Sequence, residues 1–80
     1  MVRRGEQRAV QLSHDEYETL ERAIIDRRRM AIYRRGTEYI VVPRRLRMED
    51  GRESIDAAHP TTGDTMTFRI DELDDIQVIG

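Results

Sequence analysis

The feature that most constrains the fold of this chain is a change in hydrophobic period at Met30. Before it, apolar residues from Tyr17 to Ile24 recur at helical spacing. After it, short segments alternate between apolar and polar residues, with turn residues between them. A chain of 80 residues is long enough for one domain. The pattern predicts a mainly β (α+β) fold, in which one N-terminal helix precedes a five- to six-stranded antiparallel barrel that closes to hide its edges.

The predicted helix has a clear start. Ser13 and Glu16 have the spacing of a capping box, and Leu12 and Tyr17 occupy the staple positions, so the helix should begin at His14. We expect a length of about 15 residues, which is ordinary for a globular helix. Arginines 27–29 should then fall in its last turn, where they complement the helix dipole. The face expected to dock on the barrel comprises Tyr17, Leu20 and Ile24.

The strands are predicted from segments of period two and from the turns between them. A first hairpin joins Met30–Arg34 to a β-branched run, 38–42, that Pro43 should stop. A type I′ turn at Asp50-Gly51 should join a third and a fourth strand. A turn cluster at 59–64 precedes the fifth strand, and a helical turn at 71–74 precedes a closing one. The apolar residues that share one face within each of the last four predicted strands are Leu46 and Met48, then Ile55 and Ala57, then Met66, Phe68 and Ile70, and finally Ile76 and Val78.

Composition limits the cellular compartment and the class of protein that we expect for this chain. The chain has no cysteine, so neither a disulfide framework nor a cysteine-based zinc site is expected. It has no apolar run of the roughly 20 residues that cross a bilayer, and no signal-peptide core follows Met1. We therefore expect a cytoplasmic protein with no membrane contact. Residues 1–11 are predicted to be a flexible tail and residues 12–80 a single helix-plus-barrel domain.

Charge is distributed unevenly along the chain. All 14 basic residues are arginine, which suits forked contact with carboxylate or phosphate, although biased genome composition gives the same result. Residues 22–52 hold ten arginines against four acids, whereas residues 53–80 hold one arginine against seven acids. The formal net charge is −2. A basic sector can meet phosphate, and an acidic sector can meet a basic partner.

No constellation of residues has the spacing of a catalytic site, and we expect a non-enzymatic protein without cofactor or metal. His14 and His59 are far apart in sequence, and Ser13 and Ser54 are explained by a helix cap and a strand. The carboxylates of segment 71–75 lack the ligand spacing of a calcium loop, so a solvated turn is expected.

Nucleic-acid binding has more support than catalysis. Single strands bind to basic grooves with interleaved aromatic platforms. The aromatic candidates are Tyr33, Tyr39 and Phe68. At period two, however, Tyr33 shares a face with Ala31 and Phe68 with Met66, which favours core positions for both.

The stretch from Ala23 to Ile79 resembles the WYL domain of bacterial transcription regulators, which has an Sm-like/SH3-like barrel. The matching elements are Tyr33, Val42-Pro43 with Leu46, Asp50-Gly51-Arg52 and Phe68-Arg69-Ile70-Asp71. The resemblance implies binding of nucleic acid or a nucleotide-type ligand by the basic sector. Two departures weaken that expectation, since Glu53-Ser54-Ile55 replaces the name-giving motif and Glu72 replaces an arginine. The expected binding residues are Arg34, Arg35, Arg44, Arg45, Arg47 and Arg69.

A second resemblance is to Rof, a small protein that binds the transcription terminator Rho and blocks its RNA site. Segments 15–23 and 69–73 are similar to its helix and to its closing element. This resemblance implies an antiterminator that contacts Rho through acidic side chains, whereas arginines 27–29 depart from that pattern. The expected partner-binding residues are Asp15, Glu16, Glu18 and Glu21.

The WYL-like interpretation ranks first because its matching positions span more of the chain. The Rof-like antiterminator ranks second. A third possibility is a self-association module that binds no ligand and uses a barrel edge. Sequence leaves the oligomeric state open.

Overall fold

The computed structural model describes residues 12–79, in which one helix is followed by five antiparallel strands. The predicted flexible tail, residues 1–11, lies outside the described residues. The mainly β, α+β fold class is confirmed. None of the helices in residues 12–79 is long and apolar enough to cross a membrane. The elements are α1 (His14–Asp26), β1 (Met30–Arg34), β2 (Thr37–Glu49), β3 (Arg52–Ala58), β4 (Thr65–Arg69), a 3-10 turn (Ile70–Glu72) and β5 (Asp75–Val78).

Helix α1 begins at the predicted residue and has the predicted cap. The Ser13 hydroxyl accepts the Glu16 N–H at 3.2 Å, and the Glu16 carboxylate accepts the Ser13 N–H at 2.9 Å. The helix ends at Asp26 after 13 residues, because Arg27 takes left-handed backbone angles with φ 55°. The amide of Arg28 then donates back to the Ala23 carbonyl. The prediction that arginines 27–29 form the last helical turn is therefore wrong.

The helix docks through the face that its sequence predicts. Leu20 and Ala23 are buried, and Tyr17 and Ile24 pack against the same core. The Tyr17 hydroxyl donates a hydrogen bond to the Glu53 carboxylate on β3. Apolar burial and this polar contact together fix the first turns of α1 against the sheet.

The contact between Tyr17 and Glu53 predicts an alkaline loss of stability. Burial, together with the hydrogen bond to the Glu53 carboxylate, raises the pKa of Tyr17 from 10.0 to about 12. Because the folded-state pKa is raised, the contribution of protonated Tyr17 to stability is fully present below pH 10. It falls as the pH rises towards about 12. Chemical denaturation at a series of alkaline pH values should show that decline. The Tyr17→Phe variant should show a shallower decline, and an unchanged slope would contradict the assignment.

Strand β2 is longer than predicted, and the prediction that Pro43 stops it is wrong. Residues Thr37–Val41 pair with β1, and pairing with β3 begins at Val42. Pro43 therefore lies where β2 has passed the end of β1, so no β1 residue needs its missing N–H. The register shifts between Pro43 and Arg45, a bulge at which proline is tolerated. The second and third predicted strands are thus one bent strand.

The β2–β3 hairpin has the predicted two-residue turn. Asp50 has φ 53° and Gly51 has φ 76°, so both central residues take the positive φ that a type I′ turn requires. Arg35 and Gly36, with φ 53° and 79°, turn the first hairpin in the same way. These turns fix the register of β2 against both of its neighbours.

The sheet order is β4-β3-β2-β1-β5, and within the described residues β4 and β5 do not pair with each other. The barrel is therefore open, in contrast to the closure expected from sequence, and it has five strands. Its edges are protected in other ways, since β4 exposes Thr65, Thr67 and Arg69 and β5 has only four residues. Self-association through these edges stays a prediction.

Candidate nucleic-acid interface

The solvent-facing side of β2, β3 and β4 carries most of the polar residues that could meet a ligand. Leu46, Ile55 and Phe68 lie opposite one another and pack in or against the core. Because successive side chains of a strand alternate, their immediate neighbours point away from the core. We call this side the outer face. It comprises Arg45 and Arg47 of β2, Ser54 and Asp56 of β3, and Thr67 and Arg69 of β4.

Asp56 occupies the centre of one cross-strand row of the outer face. It lies opposite Arg45 and Thr67 in the register. Its carboxylate accepts hydrogen bonds from Arg45 Nε at 3.0 Å, Arg47 Nε at 2.8 Å and the Thr67 hydroxyl at 3.0 Å. Arg47 also approaches Glu49, at 3.4 Å. Two of the arginines predicted to bind a ligand therefore have an acidic partner within the chain.

Burial and hydrogen bonding act in opposite directions on Asp56. Burial disfavours the charged carboxylate, but the hydrogen bonds from Arg47, Arg45 and Thr67 outweigh it and lower the pKa of Asp56. The same contact with Asp56 raises the pKa of Arg47. The Asp56 carboxylate and the three side chains that donate to it thus hold one another in place.

The neighbouring row of the outer face has cations but no central carboxylate. Ser54 lies opposite Arg47 on one side and opposite Arg69 on the other. The Ser54 side chain is buried, and its Oγ has no hydrogen-bond partner within residues 12–79. Arg69 is exposed and forms no ion pair with any residue that the structure describes. This row therefore offers the exposed guanidinium of Arg69 to an anion, whereas the Ser54 hydroxyl is buried.

The other three predicted arginines lie away from that row. Arg44 is the extra residue at the β2 bulge, and Arg35 is in the first turn; both are exposed. Arg34 lies against core aromatics, with its Cζ 5.2 Å from the ring centres of both Tyr39 and Phe68. The stacking of Arg34 on Phe68 therefore links β1 to β4, two strands that do not pair directly. The six predicted arginines are thus divided among four places: the outer face, the β2 bulge, the first turn and the aromatic pair.

The aromatic side chains do not form a stacking platform. Phe68 is buried and its ring packs against Tyr39, with ring centres 5.3 Å apart. Tyr33 is half-buried and donates its hydroxyl to Glu38 at 2.9 Å. The interpretation of Phe68 as a core residue is confirmed, whereas the core position favoured for Tyr33 is wrong, because its ring is half-buried and its hydroxyl reaches the exposed Glu38. Any nucleic-acid contact therefore depends mainly on phosphate.

The acidic residues of the Rof-like prediction lie along α1. Glu16 is occupied by the capping box, whereas Asp15, Glu18 and Glu21 are exposed. Glu18 Oε2 lies 3.2 Å from His14 Nε2. Three of the four predicted carboxylates are therefore exposed on one helix, and Glu18 among them is paired with His14.

The remaining histidine and the acidic turn have local structural roles. His59 Nδ1 accepts the N–H groups of Thr61 and Thr62, at 3.1 and 3.2 Å. Asp74 accepts the Gly36 N–H at 3.0 Å and so ties the first hairpin to the segment before β5. Across residues 12–79, no group of three or more His, Cys, Asp or Glu side chains could hold a metal ion.

The sequence interpretation missed Ser54 and Asp56 as members of the interface. Ser54 was explained by its strand alone, and Asp56 was not selected. Alternation did carry a signal, because a serine and an aspartate at successive outward positions of β3 lie beside a strand with Arg45 and Arg47. What sequence could not supply was the register that sets Arg69 of β4 beside Ser54.

The comparisons with known proteins give a structural likeness only. No protein-family model and no curated protein matches the sequence. The chain is similar to a solved structure, proteasome accessory factor B/C (PafBC) of Arthrobacter aurescens, with a TM-score of 0.70. The identity is 21%, over 88% of this chain and 12% of that chain. The likeness shows the same fold in a small part of a much longer protein.

Proposed function

We propose that the chain is a non-enzymatic, WYL-like binding module in bacterial transcription regulation whose outer face binds phosphate groups of nucleic acid or of a nucleotide-type ligand. The comparison supports the proposal through the fold that the chain shares with a part of PafBC. The observation that carries the proposal is the row Arg47, Ser54 and Arg69. It presents the guanidinium groups of Arg47 and Arg69, and it has no carboxylate in the place where the next row has Asp56.

The chemistry of this row suits a phosphate oxygen. A guanidinium donates in a planar fork that matches two oxygens of a phosphate. The outer face carries three arginines and one aspartate, a balance of +2. Arg52, next to Gly51, is paired loosely with Asp71 at 3.7 Å and stands beside this row, two residues from Ser54. A phosphate bound here would place a negative charge between Arg47 and Arg69, as the Asp56 carboxylate does beside Arg45 and Arg47 in the next row.

Reversing the charge of Arg69 should abolish binding of a short fluorescein-labelled single-stranded RNA. The Arg69→Glu variant loses one donor and places a carboxylate against the incoming phosphate, so we expect a loss of at least about tenfold in affinity. Fluorescence anisotropy measures it, and added salt should weaken the unmutated protein steeply. Arg22→Glu is the matched control, because it changes the same charge on the exposed face of α1.

Ser54→Ala is a buried control beside Arg69 in the same assay. The hydroxyl is buried and has no partner in the described part of the chain, so its removal should leave stability unchanged or slightly higher and RNA affinity unchanged. Equal affinities for the unmutated protein, Arg69→Glu and Arg22→Glu would contradict the proposed surface.

A second candidate function is the Rof-like contact with Rho, which the exposed carboxylates of α1 favour. A protein that occludes an RNA site competes on a basic surface, and complementary charge speeds the encounter. In a titration into a Rho–RNA complex, the unmutated chain should release RNA. A variant with Asp15, Glu16, Glu18 and Glu21 neutralised should release it more slowly. No release at a large excess of the chain would exclude this candidate.

A further inference from the structure

A groove at the hairpin end of the molecule is distinct from the outer face. It lies between the start of α1, the β2–β3 turn and the 3-10 turn, and has a volume of about 300 Å³. The Tyr17–Glu53 contact forms one wall, and Ile70 contributes an apolar part of the lining. We call it the hairpin groove.

The groove contains a carboxylate whose hydrogen-bonding capacity is unused. Asp71 Oδ1 is buried and has no hydrogen-bond partner in the described residues. Asp71 Oδ2 has only Arg52 Nε, at 3.7 Å, which is beyond hydrogen-bond distance. The side chain is 37% exposed and lines the groove. A carboxylate with unused acceptor capacity binds a charged N–H donor more strongly than a neutral one.

The groove also has an apolar edge. Met48 points to the same side of β2 as Leu46, but it lies beyond the core and is 62% exposed. A flexible thioether of this kind adapts to the aliphatic part of a neighbouring side chain. Long basic side chains place such an aliphatic stem on apolar surface and keep the charged head with its partners.

The charged side chains around the hairpin groove are net negative and favour a cationic ligand. Glu53 and Asp71 line the groove with one arginine, Arg52, so its balance is −1. Glu49 and Asp50 stand at the adjoining turn and add negative charge beside it. An anionic ligand would be repelled by this charge and would leave Asp71 without a donor.

We propose that the hairpin groove is a protein-docking site that takes an arginine side chain of a basic partner segment. The arginine stem lies on Met48, and its guanidinium donates to Asp71 in competition with Arg52. The site does not depend on the phosphate-binding surface, because Asp71 and Met48 belong to neither of the two rows described above.

The test is a titration of the full chain with a blocked peptide that carries one arginine between two leucines. The matched peptide has citrulline in place of arginine, which keeps the shape and removes the charge. Amide chemical shifts should move at Gly51, Glu53 and Asp71 with the arginine peptide only. Asp71→Asn should weaken binding by about tenfold, as expected for one charge-assisted contact, whereas Arg52→Gln should strengthen it by removing the competing cation.

Asp64→Asn is the control, since it removes the same charge from the exposed turn before β4. Equal weakening by Asp64→Asn and Asp71→Asn would show diffuse attraction and overturn the site. Equal binding of the arginine and citrulline peptides, shifts confined to other surfaces, or no binding of either peptide would overturn it as well. RNA affinity of Asp71→Asn should equal or exceed that of the unmutated chain, because the change frees Arg52 beside the phosphate row, so a loss of peptide binding is distinguishable from a failure of the phosphate proposal.

Discussion

Replacing Leu20 by alanine is expected to lower the free energy of unfolding by about 2–5 kcal/mol, the range for a leucine deleted from a packed core. Leu20 has no exposed surface and joins α1 to the residues that β1, β2 and β3 contribute to the core. Urea denaturation followed by circular dichroism measures the change. Arg22→Ala, on the exposed side of the same helix, should change stability by only a few tenths of a kcal/mol.

Ile25 provides a chemically matched control for Leu20. It is 77% exposed on the same helix, so Ile25→Ala removes a similar apolar side chain without creating a cavity. If Leu20→Ala and Ile25→Ala had equal effects, the docking face of α1 would be assigned incorrectly.

Replacing Asp56 by asparagine is expected to have opposite effects on folding and on binding. The carboxylate is only 14% exposed and accepts three hydrogen bonds, so its loss should destabilise the fold by about 1–3 kcal/mol. The same change frees Arg45 and Arg47 from their acidic partner. RNA affinity should therefore rise several-fold in anisotropy titrations at constant salt.

The pH dependence of stability gives an independent check on Asp56. Its pKa is lowered in the folded state, so its contribution is present above the ordinary aspartate range and is lost as the pH falls below it. The unmutated protein should thus lose more stability on acidification than Asp56→Asn. Lower RNA affinity of Asp56→Asn, at a pH where the variant is folded, would show that Asp56 does not compete with phosphate.

The elements that could be predicted from sequence are those set by local chemistry. The capping box fixes the start of α1 at His14, and alternation identifies Phe68 as a core residue. The Asp50-Gly51 pair specifies its turn because two successive positive φ angles favour these residue types. Each of these signals lies within a few residues of the feature that it determines.

The predictions that were wrong concern features that depend on contacts between segments distant in sequence. Pro43 ends a strand only where its missing N–H leaves a partner unsatisfied, and whether β1 extends that far is a tertiary property. Arginines 27–29 could have continued the helix by propensity, but the chain must turn after Asp26 to begin β1 at Met30. Closure of the barrel likewise depends on whether β4 reaches β5, which no local pattern specifies.

The candidate interface was predictable only in part, for the same reason. The basic sector of β2 is visible in the sequence, and Arg45 and Arg47 do lie on one face. Their neutralisation by Asp56, and the unused hydroxyl of Ser54 beside Arg69, follow from the register of three strands. Arg34 was selected for its charge, although its place is against Tyr39 and Phe68.

The most direct measurement of the proposed function is a map of backbone amide shifts on titration of the full chain with a short single-stranded RNA. The shifts are expected to be largest at Arg47, Ser54 and Arg69, to decrease with added salt, and to be absent in Arg69→Glu. Shifts centred on Asp15, Glu18 and Glu21 of α1, or no shifts at any residue, would contradict a phosphate-binding outer face.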